Sequence, residues 1–278
     1  MTQVPDIKLN NGITIPQLGF GVFQIKPADT VEAVTTALKF GYRHIDTAEM
    51  YQNEKEVGEA IAAFDVDPAE VFVTSKLSNS KHGFDDALAA FDGTYDAIGK
   101  EKLDLFLVHW PLPTIGDFVE TWRAMERIYS EGRVRSIGVS NFTIAHLDRL
   151  AEETDVVPAI NQIEAHPYLT QLDLLAYDTE HGIVTQAWSP IAQGAVLDDP
   201  EIVDIAGDHG KTPAQVVLRW HIQLGSVVFP KSVTPARIEE NIDLFDFELS
   251  EGDMQRITAL NRDERIGPDP ETFDYLPD

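Results

Sequence analysis

The chain contains no cysteine, which excludes disulfides, thiolate metal sites and a cysteine nucleophile. Basic residues are scarce. Lys and Arg number 21 against 47 Asp and Glu, a net charge of −26. A field of that sign repels phosphate backbones and anionic bilayers, so neither nucleic acid nor a membrane is expected as a partner. No stretch reaches the roughly 18–20 uncharged apolar residues of a membrane span. Met1–Asn10 lacks the basic and apolar regions of a secretory signal, so a cytoplasmic protein is expected. The eight histidines show neither H-x-H nor H-E-x-x-H spacing, which gives a metal site no support. No Pro/Gly/Ser linker or low-complexity tract interrupts the 278 residues, and residues 1–278 read as one domain. The acids are spread along the chain rather than gathered in a tail. Two readings follow: an acidic surface adapted to high salt, where ions screen the repulsion, or an ordinary acidic cytosolic protein.

Against these absences stand eight short apolar runs, most of which stop at a residue able to do chemistry or hold a ligand. Tyr42–Ile45 stops at Asp46, Val71–Ser75 at Lys76 and Leu103–Val108 at His109. Val134–Val139 stops at Ser140 and Asn141, the run around Ile160 at Gln162, and Ile183–Ala187 at Trp188. Val227–Pro230 delivers Lys231 and Ser232, while Gln17–Val22 ends in a bare glycine turn at Gly21. Chance would scatter such groups over both strand ends; parallel strands of a closed barrel would gather them on one face.

Between the runs lie segments with apolar residues at helical spacing: Thr30–Phe40, Glu54–Phe64, Asp86–Ile98, Phe118–Ser130, Ile144–Glu153, Gln171–Glu180 and Pro213–Leu224. Asp29 and Thr143 suit N-caps, and Gly41, Gly132 and Gly182 suit helix ends. Ile7–Leu9 and Ile13–Ile15 around Asn10-Asn11-Gly12 predict a β-hairpin, placed as a lid over the barrel bottom. Pro235–Asn241 and Ser250–Leu260 predict two terminal helices before a tail, Arg262–Asp278. The alternative, an open doubly wound sheet, would carry a glycine-rich phosphate turn after its first strand. Gly19-Phe-Gly21-Val-Phe-Gln24 breaks that pattern at its third glycine. The fold class is therefore α/β, a (β/α)8 TIM barrel with an N-terminal hairpin and two extra C-terminal helices.

Asp46, Tyr51, Lys76 and His109 form a coherent acid set. A free phenol has a pKa near 10; a neighbouring ammonium is expected to lower it, and a carboxylate behind the lysine to fix that charge. A histidine beside the phenol can orient a carbonyl oxygen. Taken singly, each is more often a satisfied core residue or a plain salt bridge. Their joint placement after consecutive strands favours a site.

The words themselves are familiar. Gly41-Tyr-Arg-His-Ile-Asp46-Thr-Ala-Glu-Met-Tyr51 with Asn53-Glu54 and Gly58, Leu107-Val-His109-Trp-Pro111, Gly138-Val-Ser140-Asn141-Phe142, Asn161-Gln162-Ile-Glu164 and Pro230-Lys231-Ser232-Val-Thr234 stand in one order from Leu18 to Asn241. Together they resemble the signature of the aldo-keto reductase family, in particular its bacterial 2,5-diketo-D-gluconate reductases. The resemblance implies a small-molecule carbonyl substrate, NADPH/NADP+ as cofactor and a monomer. It makes Tyr51 the proton donor, tuned by Lys76 and Asp46, with His109 positioning the carbonyl. It lays the cofactor along Gly21, Val22 and Asp46, with Trp188 stacking on the nicotinamide and Ser140, Asn141 and Gln162 hydrogen-bonding its carboxamide. Ser189, Ile191, Gln193 and Gly194 would cover the pyrophosphate. Lys231, Ser232, Val233, Thr234 and Arg237 would hold the adenosine 2′-phosphate, with Glu240 and Asn241 toward adenine.

The phosphate assignment has a physical argument of its own. In so acidic a chain, a Lys and an Arg beside hydroxyls at a strand end suit a phosphate monoester. The alternative is an Arg237–Glu240 pair along one helix. Phe23, Met50, Trp110 and the tail could line an apolar substrate pocket. Ser78 stands where the family frequently has tryptophan, which is expected to widen the mouth. Two other functions remain: a cofactor-binding regulatory or structural protein, which should have lost Tyr51 or Lys76, and a metal-dependent barrel hydrolase, which the absent ligand spacings disfavour.

Overall fold

The computed structural model describes residues 4–99, 103–116 and 118–277; Met1–Gln3, part of the segment read against a signal peptide, and Asp278 of the tail lie outside them. Strands β1 (Asp6–Lys8) and β2 (Thr14–Pro16) pair antiparallel with Ile7 opposite Ile15. Each strand sits one residue from its predicted bounds. The Asn side chains do more than turn the chain. Asn10 Nδ2 donates to Pro158 O at 3.0 Å and Asn11 Nδ2 to Arg135 O at 3.0 Å, tying the hairpin to neighbouring loops. Leu9 and Ile15 pack with Phe72, Leu105, Leu107, Ala159, Ile160 and Val227, which plugs the barrel where its strands begin. The expected lid is present.

Eight parallel strands follow in chain order: β3 (Phe20–Gly21), β4 (His44–Asp46), β5 (Phe72–Leu77), β6 (Leu103–Val108), β7 (Val134–Ser140), β8 (Ile160–Glu164), β9 (Val184–Trp188) and β10 (Val227–Val228). The first and last meet. Leu18 bridges Val228 in parallel, with Gly19 N–H to Val228 O at 2.7 Å and Val228 N–H to Gln17 O at 3.0 Å. Closure leaves no open edge and brings every strand's C-terminus to one mouth.

The outer layer comprises α1 (Pro27–Phe40), α2 (Glu54–Ala63), α3 (Phe84–Ile98), α4 (Phe118–Ser130), α5 (Ile144–Glu153), α6 (Leu172–Glu180), α7 (Pro200–His209), α8 (Pro213–Gln223), α9 (Pro235–Ile242) and α10 (Glu251–Thr258). Trp122, Phe91, Phe106 and Phe142 are fully buried between helices and sheet, each removing about 1.5–3 kcal/mol worth of apolar surface from water. Two readings need correction. Helix α1 starts at Pro27, so Asp29 lies in its first turn and is not the cap; proline's fixed φ suits the first helical position. Helix α7 was not predicted. Only Ile202, Ile205 and Ala206 of it are buried, a stripe too thin among acids to register, although Asp199-Pro200 and Gly210 bracket it with ordinary start and stop chemistry. Gly41 closes α1 at φ 102°, as expected of a residue without Cβ.

Candidate active site

Alternation along β4 and β5 turns Asp46 and Lys76 into the barrel, both fully shielded. The Lys76 ammonium has three donors, and the mouth offers three acceptors. Asp46 Oδ1 lies at 2.6 Å, Thr47 O at 2.8 Å and the Tyr51 hydroxyl at 3.5 Å. Asp46 Oδ2 accepts from Gln162 Nε2 at 2.8 Å, and the same nitrogen reaches Gln186 Oε1 at 3.0 Å. Burial pushes the Asp46 carboxyl up and the Lys76 ammonium down, and their contact opposes both shifts.

Tyr51 closes a short 3-10 turn, Glu49–Tyr51, followed by Gln52 at φ 56°. Asn53 fixes this turn. Its Oδ1 accepts from Thr47 Oγ1 at 2.8 Å, and its Nδ2 donates to Val22 O and Ile25 O, each at 3.1 Å. The expected lowering of the phenol is not found. Burial first, then the Asp46 charge, hold it well above its ordinary value. The cation that should lower it is already paired at 2.6 Å, so desolvation decides the sign. Tyr51 is thus a neutral phenol, a form that can only give its proton to a strong base. His109 meets Tyr51 edge-on, ring centroids 5.9 Å apart. Burial and the Lys76 charge depress its pKa, keeping the imidazole neutral. The four residues converge.

Next to them runs a polar chain along the mouth. Ser140 Oγ donates to Gln162 O at 2.9 Å. Asn141, at φ 63°, donates through Nδ2 to His109 O at 2.9 Å and accepts the Trp188 indole N–H at 2.8 Å. Beyond Trp188 the backbone is strained: Ser189, Ala192 and Gln193 have φ of 49°, 51° and 52° before Gly194 at 101°. Non-glycine residues rarely take such angles, and strain of this kind clusters at ligand clamps.

Gly21 brings the far end close. A Cβ there would lie 2.6 Å from Phe229 O, so only glycine lets β3 pass the segment that carries Lys231. Lys231 and Arg237 are exposed, with no ion-pair partner among the described residues. Glu240 accepts from Thr212 Oγ1 at 2.8 Å, and no ion pair joins it to Arg237 among the described residues. Ser232 Oγ accepts the Thr234 N–H at 3.1 Å and shapes the entry to α9; Val233 is exposed and Asn241 buried.

On the substrate side, Phe23 is 50% exposed with its ring 5.0 Å from Tyr51. Met50 lies in the turn beside it, and the Trp110 ring meets Phe273 of the tail at 4.3 Å between centroids, tilted by 50°. The tail is tied across the mouth by Asn79 Nδ2 to Tyr275 O at 2.9 Å and by Thr114 to Asp274. Ser78 is buried, its N–H on Glu49 Oε2 at 2.9 Å. Glu49 and Asn53 stand inside the motif around Tyr51 but carry no expected role there, and Phe273 and Tyr275 are covered only by the expectation that the tail lines the pocket; their contacts to Ser78, Val22, Trp110 and Asn79 join distant parts of the chain. No group of three or more His, Asp or Glu among the described residues could hold a metal ion, and no described helix is long and apolar enough to cross a membrane.

Comparisons with known proteins agree with this geometry. The model of the Aldo/keto reductase family matches residues 17–262. An aldo-keto reductase of Mycolicibacterium smegmatis is 53% identical over 98% of each chain. The methylglyoxal reductase DkgA of Escherichia coli is 47% identical over 96% of this chain and 97% of its own. Among solved structures, a Bombyx mori aldo-keto reductase in complex with NADP superposes with a TM-score of 0.90 at 37% identity, covering 96% of each chain.

Proposed function

The chain belongs to the aldo/keto reductase family of oxidoreductases, and we propose that residues 1–278 act as one unit that reduces an aldehyde or ketone with NADPH. The observation that carries this reading is the shared ammonium: Lys76 Nζ meets Asp46 at 2.6 Å and the Tyr51 hydroxyl at 3.5 Å, beside the neutral His109.

NADPH, when bound, supplies a hydride to the carbonyl carbon. The chain does the rest. His109 donates its single N–H to the carbonyl oxygen and turns the carbon toward the incoming hydride. The oxygen becomes an alkoxide, a far stronger base than a phenolate, and takes the Tyr51 proton to leave an alcohol. Lys76 then faces the new phenolate across a ready hydrogen bond, a preorganised donor aimed where charge develops. Asp46 keeps Lys76 charged and aimed.

The residues fit the cofactor. Gln186 Nε2 is buried without a partner next to Gln162, the strained turn at Ser189–Gly194 follows Trp188 directly, and Lys231 before α9 and Arg237 within it have no ion-pair partner among the described residues. Trp188 offers a flat face for the nicotinamide, and Lys231 with Arg237 favours NADPH over NADH. Phe23, Met50, Trp110, Phe273 and Tyr275 would give the substrate an aromatic rim. We take the protein as a cytoplasmic monomer whose net charge of −26 suits high salt. A regulatory role on the same fold finds no support in a site with Tyr51 and Lys76 intact. The test is NADPH oxidation across methylglyoxal, aromatic aldehydes, keto-sugars and keto-esters at low and high salt. Turnover of at least one class is expected; no oxidation of NADPH with any would overturn the reading.

A further inference from the structure

Glu164 ends β8 on the residue after Ile163, and its side chain is fully buried with no Lys or Arg in close contact among the described residues. Arg265 Nη1 comes no nearer than 3.9 Å. What it does hold is backbone from far along the chain. Oε1 accepts the Ile266 N–H at 2.6 Å, the two oxygens share the Gly267 N–H at 3.2 and 3.1 Å, and His166 Nε2 lies 3.1 Å from Oε1. A buried carboxylate must be repaid in hydrogen bonds, and here two of the donors belong to the tail. The tail is anchored just upstream as well: Arg262 covers the Tyr168 ring at 3.6 Å, and its N–H donates to Tyr168 O at 3.2 Å.

The held residue touches one ring. A Cβ on Gly267 would lie 2.3 Å from Cη2 of Trp188 and 3.1 Å from Glu164 Oε2. The opposite end of the same indole donates to Asn141 Oδ1 at 2.8 Å. Trp188 is therefore gripped twice, by its N–H at the mouth and by tail backbone at its benzo edge.

We propose that Glu164 is a positioning residue for Trp188: it holds Ile266 and Gly267 so that the tail fixes the angle at which the indole meets the nicotinamide. The proposal rests on the reading of Trp188 as the nicotinamide's stacking partner. Gly267 is required for the closeness of the approach, not for its backbone angle. Any side chain there must push the indole or the carboxylate aside.

A double-mutant cycle tests it, read as NADPH dissociation constants from the fluorescence of the bound reduced nicotinamide. Gly267→Ala is expected to weaken NADPH at least fivefold beside Trp188 and less than twofold in a Trp188→Phe background, whose smaller ring frees the space. Glu164→Gln, which keeps shape but weakens the grip on both N–H groups, should follow the same split, and it carries the comparison alone if Gly267→Ala does not fold. Equal weakening in both backgrounds, or none beside Trp188, would overturn the proposal while leaving the stacking reading intact. If Trp188→Phe binds NADPH as tightly as the native protein and the Gly267→Ala split is absent, stacking itself fails.

Discussion

Replacing Asp46 by Asn keeps the shape of the side chain and removes one charge from the centre of the mouth. Both Asp46 oxygens accept, one from Lys76 at 2.6 Å and one from Gln162 at 2.8 Å. An amide has a single acceptor oxygen, so one of those donors must face an NH2 group. Gln162 cannot simply flip, because its Nε2 also serves Gln186 Oε1 at 3.0 Å. The Lys76 ammonium would be left fully buried with neutral partners. Breaking such a pair from one side costs about 3–5 kcal/mol. The pH dependence follows from the sign of the shift. Burial already lowers the Lys76 pKa, and the Asp46 charge is the largest influence raising it; without that charge it falls further. Between that folded value and about 10.4 in the unfolded chain, the unfolded state binds the extra proton, so the variant gains stability as pH rises. Urea melts at pH 7 and pH 9.5 measure this directly. The variant should trail the native protein by about 3–5 kcal/mol at pH 7 and by about 1 kcal/mol less, or better, at pH 9.5. A deficit under about 1 kcal/mol at pH 7, or one independent of pH, would refute the reasoning.

Three other outcomes follow from the same contacts. Lys231→Ala with Arg237→Ala removes two charge-assisted contacts and should weaken NADPH about 10- to 100-fold, on the scale of such bonds, with little change for NADH in a binding titration. Asp178, buried against Thr185 and Asn161, has its carboxyl raised to about 7. A raised folded value means stability that is full below the unfolded pKa and lost as pH climbs to about 7. Asp178→Asn should therefore raise the melting temperature at pH 8 and leave it nearly unchanged at pH 4; equal effects at both would refute the assignment. With a net charge of −26, melting temperature should rise from low to molar potassium chloride as the screening length falls to about 3 Å. A flat curve would remove the high-salt reading.

The strands, the hairpin and the convergence of Asp46, Tyr51, Lys76 and His109 were legible because each is a local pattern: an apolar run, an Asn-Gly turn, a polar residue where the run stops. Helix α4 and helix α5 agree with their predicted bounds residue for residue. What stayed hidden is long-range or electrostatic. Glu164 and Ile266 are 102 residues apart, and no spacing rule links them. The sign of the Tyr51 shift depends on how completely Asp46 pairs Lys76 and how deeply the phenol is buried, and neither can be read from residue order. Helix α7 shows the remaining weakness, since three buried apolar residues among acids give too little period to separate from a loop.

The central claim is that the Tyr51 hydroxyl supplies the proton. The most direct measurement is Tyr51→Phe, compared with the native protein for NADPH affinity and for single-turnover NADPH oxidation with one carbonyl substrate that the native protein reduces. The account predicts an affinity within about twofold and a reduction rate lower by at least about 10²-fold, the scale of losing a general acid. A variant that binds NADPH equally well and reduces the substrate at near the native rate would contradict it.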